Sequence, residues 1–98
     1  MRDPKVLEAV KRSLALLTER APGRAIEVRI PPYAAVQCGD GPTHTRGTPP
    51  NVIEMNAETW LALASGERSW ADAMSAGLIS ASGVRADLTE LLPLEVKS

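Results

Sequence analysis

The stretch whose reading decides the fold is Asn51–Gly83, NVIEMNAETWLALASGERSWADAMSAGLISASG. It reads as a short apolar strand, a helix carrying Trp60, a glycine turn, a second helix carrying Trp70, another glycine and a final strand. Trp60 and Trp70 are the chain's only tryptophans, so its largest apolar side chains lie in this one segment. Asn56 is placed to cap the first helix, with Glu58 in its first turn. Trp60, Leu61, Leu63 and Ala64 form its apolar side, and Gly66 suits the position just past its end. Ser69 caps the second helix with Asp72 three positions later, a capping-box-like pair with Asp in place of Glu. Trp70, Ala73 and Met74 make its inner stripe, and Gly77 ends it. In Val52–Met55, alternation puts Ile53 and Met55 on one face and Val52 and Glu54 on the other, which sends Glu54 to solvent.

Toward the N-terminus, Asp3-Pro4 is a helix start: Asp caps, and proline at the first helical position has no N–H to leave unpaired. Val6, Val10, Leu14 and Leu17 then form one helical stripe over residues 4–20, which Pro22-Gly23 closes. Ala25–Ile30 alternates as a half-buried strand, with Ile26, Val28 and Ile30 on one face. Pro31-Pro32 interrupts it, and Tyr33–Cys38 is a second strand. Thr43–Arg46 is a candidate third strand between Gly/Pro breaks. Beyond the central stretch, whose last strand is Leu78–Ser82, Asp87 caps a short helix in which Leu88, Leu91 and Leu92 face inward. Pro93 stops that helix, and Leu94–Ser98 is expected to fray. This order is not an alternating βαβ pattern. It predicts an α+β fold, an about five-stranded, mainly antiparallel sheet covered on one face by helices.

Composition narrows the classes. The 98 residues suit one domain, residues 1–98. The net charge of −1 comes from 11 basic and 12 acidic residues that are well mixed, so no electrostatic funnel for nucleic acid is expected. Cys38 is the only cysteine, which excludes an internal disulfide and a cysteine metal cage. No run approaches the roughly 20 apolar residues of a membrane span. The charged N-terminus lacks a signal-peptide apolar region, and a cytoplasmic location is expected.

The glycine-ended helices of the central stretch carry a family resemblance. One helix ends in Leu61-Ala62-Leu63-Ala64-Ser65-Gly66, and the next in Ala73-Met74-Ser75-Ala76-Gly77. The strand Leu78–Gly83 and an apolar C-terminal segment follow. This pattern resembles the sterol carrier protein type-2 family, and most of all its small stand-alone actinobacterial members. The resemblance implies a helix-covered five-stranded sheet that encloses an apolar cavity for sterols, fatty acids or other lipids. It also implies a rival role, because some relatives are fused to enzyme domains. In that role the core is filled and the domain docks a protein partner.

Candidate site residues follow from both readings. Trp60, Leu63, Trp70, Met74, Leu78, Leu91 and Leu92 are the apolar set that would line a cavity or simply fill a core. His44 and Arg46 lie between two rigid turns, where Arg46 is suited to a carboxylate or phosphate head group. His44 is the only histidine, and with remote carboxylates it makes no metal site. Cys38 has no neighbouring base, and no nucleophile-elbow motif supports a triad. The expectation is a non-enzymatic domain with no catalytic residue, cofactor or metal. Its partner would be a lipid-like small molecule or a protein, not nucleic acid.

Overall fold

The computed structural model describes residues 3–41 and 51–94. Helix α1 is Pro4–Arg20, capped by the Asp3 carboxylate, which accepts from the Lys5 and Val6 amides. Its inner stripe buries Val10, Leu14 and Leu17 as the spacing predicts, and also Ser13. Strands β1 (Ile26–Ile30) and β2 (Ala34–Cys38) pair antiparallel across the Pro31-Pro32-Tyr33 turn, with Val28 opposite Val36. Strand β3 is Val52–Glu54, and helix α2, Ala57–Ser65, is capped by Asn56. Helix α3, Trp70–Ser75, is capped by Ser69. Strand β4 is Ser80–Ser82, and Thr89–Leu91 forms one 3₁₀ turn.

The sheet differs from the expectation in two ways. It has four strands among the described residues, in the order β2-β1-β3-β4, and it is mixed. The fifth candidate, Thr43–Arg46, lies outside the described residues. The pair β1–β3 is parallel, with Val28 beside Ile53. Chain direction explains this. The hairpin returns β2 to the end of the sheet where β1 begins, so the chain has only to pass that end to enter β3 running alongside β1. Alternation then sorts the faces. Ile26, Val28, Ile30 and Ile53 point to the helices and are buried, whereas Glu54 is exposed as expected. On the outer face Arg29 donates to Glu27 at 3.0 Å. That hydrogen bond and the neighbouring negative charge raise the Arg29 pKa further.

Short bonds hold the turns where ladders end. Gly23 has φ +139°, and a Cβ built there would lie 1.9 Å from the Gly39 carbonyl oxygen. Only glycine permits that approach of the α1–β1 link to the end of β2. Gly66 closes α2 in the left-handed region at φ +86°, the C-terminal position read from the sequence. The expected last helix is shorter than a full α-helical turn. The Asp87 carboxylate accepts from the Thr89 amide and starts a 3₁₀ turn, and Pro93 removes the donor a longer helix would need. Leu88 is buried, while Leu91 and Leu92 are half-buried. Leu94 is not frayed. Its side chain is 5% exposed and its amide donates to the Ala64 carbonyl.

Asn51 is the second buried polar side chain that the pattern did not mark. Its Nδ2 donates to the Ala25 carbonyl and its Oδ1 accepts the Arg85 amide, both at 2.8 Å. Its own carbonyl accepts from Glu27 N–H. One side chain thus joins the start of β1 to the segment after β4. Replacing Asn51→Ala strands one buried acceptor and one donor. It should lower the unfolding free energy by about 2–3 kcal/mol, read from urea midpoints at unchanged m-value.

Candidate functional site

An open groove of about 1070 Å³ lies between α1 and α2. Helix α1 presents Val6, Ala9 and Arg12 to it, and α2 presents Leu61 and Ala62. Tyr33 reaches it from the β1–β2 turn, and Leu78 from the residues after α3. The lining is therefore mixed: small and aliphatic groups form the apolar surface, while Arg12, Glu58, Glu67 and Arg68 supply charge. Arg68 is held by Asp72 one turn on at 2.7 Å, an exposed pair.

The helices are set against each other by one buried hydrogen bond. Trp60 Nε1–H donates to Ser13 Oγ at 2.7 Å. The Ser13 hydroxyl in turn donates back to its own helix, within reach of the Ala9 and Val10 carbonyls at 2.8 and 3.0 Å. Ser13 also lines the groove, so Trp60 stands directly behind that wall. An indole N–H inside an apolar core needs such a partner. Ser13 sits within the helical stripe, between Val10 and Leu17, and that position is the sequence signal that could have revealed it.

The seven apolar candidates separate by depth. Trp60 and Leu63 are fully buried in the packed core, and Trp70 is nearly so at 8% exposure. Met74 and Leu78 are exposed at 42% and 37%. The Schellman bonds at the end of α3 explain Leu78: its amide donates to the Ala73 carbonyl while Gly77 N–H donates to Met74, which turns the chain outward. Leu78 lines the α1–α2 groove, whereas Leu91 lines a smaller hollow of about 590 Å³ with Asp40, Arg85 and Glu90. Leu92 packs against the core from its edge. His44 and Arg46 lie outside the described residues. Among the described residues, no three His, Cys, Asp or Glu side chains gather as a metal site would require. No helix among them is long and apolar enough to cross a membrane.

Cys38 is fully buried at the end of β2. Burial pushes its thiol up from 9.0 to about 11, the opposite of what a nucleophile needs. The folded chain should react with Ellman's reagent at pH 8 about a hundredfold more slowly than the urea-unfolded chain, because two pKa units remove that much thiolate. The folded state also keeps this proton where the unfolded chain releases it. Stability from this group is therefore full below pH 9 and lost as pH rises toward 11. Comparison with Cys38→Ala across that range isolates the effect.

No curated protein matches the chain. A family model described as bacterial SCP ortholog matches residues 2–94. That span takes in every described element, from α1 through the tryptophan helices to Leu94. The chain belongs to this bacterial sterol carrier protein (SCP) ortholog family.

Proposed function

We propose that the chain binds an amphipathic, lipid-type small molecule and does not transform it. The observation that carries this reading is the α1–α2 groove, where an apolar surface from Val6, Ala9, Leu61 and Ala62 lies beside the charged Arg12 and Arg68. An alkyl chain lies on the first set and a polar head meets the second. The membership in a sterol carrier protein family supports the same class of ligand. Trp60 and Leu63 serve as the packed backing of the wall, and Leu78 as part of its rim.

Magnitudes limit how the chain is held. Each fully buried methylene contributes about 0.8 kcal/mol. An open groove covers about half of an alkyl chain, so ten methylenes supply on the order of 4 kcal/mol, which alone corresponds to millimolar binding. Micromolar affinity needs either a well-held head group or deeper burial of the chain.

A second reading has its own observation. Met74 and Leu78 leave an exposed apolar pair at the end of α3, as a module that docks an enzyme domain would. Titration with dansyl-undecanoic acid separates the two. Saturable binding to the wild-type chain, weakened at least about tenfold by Leu61→Arg at unchanged circular dichroism, supports the carrier reading. Titrations that never saturate would sink it. Full binding by Met74→Glu would show that Met74 is not a ligand contact.

A further inference from the structure

The walls of the groove are two helices that run side by side in the same direction. Helix α1 starts at the sheet end where β1 finishes, since the Asp3 amide donates to the Tyr33 hydroxyl just past β1. Helix α2 starts at the same end, because it follows β3, whose Glu54 pairs with Arg29 of β1. Their other ends meet through Leu94, whose carbonyl accepts from Arg20 and whose amide donates to the Ala64 carbonyl. The Ser13–Trp60 bond then sets the register of one wall against the other. Counted along the helices, Arg12 lies about 1.5 Å and Glu58 about 3 Å from that bond, both toward the helix starts. A cation on the α1 wall and an anion on the α2 wall thus stand at nearly the same level of the groove they both line.

Arg12 and Glu58 are exposed, and among the described residues neither forms a hydrogen bond or an ion pair. Arg68, in the same lining, is taken by Asp72. Parallel walls make the two free charges self-complementary. A twofold axis perpendicular to the groove, passing between Arg12 and Glu58, lays α1 of one copy antiparallel on α2 of the other. Each Arg12 then faces Glu58 of the second copy, so one symmetric contact makes two ion pairs. The same operation brings the apolar residues into register. Ala9 lies three residues before Arg12 and Leu61 three after Glu58, each about 4.5 Å from its helix's charge and on opposite sides of the axis. Leu61 of each copy therefore meets the small side chain of Ala9 of the other. Leu61 is half-buried and Leu78 is exposed in the single chain, and both line the face that this contact covers.

We propose that the α1–α2 face docks a second copy of this chain, as an isologous dimer in which Arg12 pairs with Glu58 across the twofold axis and Leu61 packs on Ala9. Charge complementarity of the face with itself selects this occupant. The dimer does not rest on the carrier reading, because the two charges and the apolar residues between them belong to the face whether or not a ligand uses it. A contact two helices wide is small for a permanent dimer, and exposed ion pairs add little, so association is weak, with Kd on the order of 100 μM.

Sedimentation velocity on the full chain, from about 10 μM to about 1 mM, tests it. The wild type should pass from monomer to dimer across that range. Arg12→Glu sets anion against anion at both contacts, and Glu58→Arg sets cation against cation. Each variant alone, at unchanged circular dichroism, should dimerise at least about tenfold more weakly than the wild type. Mixed one to one, the two variants should form a heterodimer of about wild-type strength, because both contacts again join opposite charges. The double variant Arg12→Glu/Glu58→Arg should dimerise with itself for the same reason. A folding defect or a contact elsewhere on the surface predicts no rescue on mixing. A wild type that stays monomeric throughout, single variants that dimerise as the wild type does, or a mixture that stays monomeric would each overturn the dimer. Saturable binding of dansyl-undecanoic acid by such a monomer would leave the groove to the ligand alone and the carrier reading intact.

Discussion

The indole N–H of Trp60 has to find an acceptor inside an apolar core, and Ser13 of α1 supplies it. That requirement ties the position of α2 to that of α1. Ser13 can serve because its hydroxyl has already spent its proton on its own helix, which leaves a lone pair for the indole. Removing either partner leaves a desolvated polar group, a cost of a few kcal/mol in a domain whose whole margin is of order ten. The separation of the two helices, and with it the groove along their outer side, follows from this bond. Trp60 and Leu63 fill the interior beneath.

Side-chain clasps of the same kind hold the parts of the chain that no ladder reaches. Asn51 binds the start of β1 to the segment after β4, where a short sheet would otherwise end in loose loops. Arg20 binds the carbonyls of Leu91, Pro93 and Leu94 to the end of α1. The difference between them is solvent. The Asn51 bond to Ala25 is buried and makes the sheet end rigid, whereas two of the Arg20 bonds face water.

The local elements were legible because their signals are local. Asp3-Pro4, Asn56 and Ser69 start helices in the structure as they do in the sequence, since capping depends on backbone amides within three residues. Gly66 and Gly77 end them for the same reason. The alternation of Ile26, Val28 and Ile30 sorted one strand's faces, and that of Ile53 and Glu54 another's. The candidate site was far less legible. Of the seven apolar candidates, Leu78 alone lines the α1–α2 groove, because an apolar residue on an inner stripe fills a packed core as readily as it walls a hollow. Val6, Ala9 and Leu61, which do line it, sit at the edges of those stripes. Their exposure depends on how two helices are spaced.

The sequence by itself determined most of the helices and strands among the described residues, where most of them stop, and the α+β class, because periodicity and caps act over a few residues. It also carried the sterol carrier resemblance, since the glycine-ended tryptophan helices are contiguous. The tertiary structure decided the rest. The parallel pairing of β1 with β3 depends on which end of the sheet the chain returns to, a long-range matter that a strand's own residues do not encode. The groove and the docking of residues 91–94 depend on Ser13 meeting Trp60 and on Arg20 meeting Leu94, contacts between residues far apart along the chain. A polar residue inside an apolar stripe, as Ser13 is, marks the need for a partner but does not name it, because which residue meets it is set by packing between distant segments.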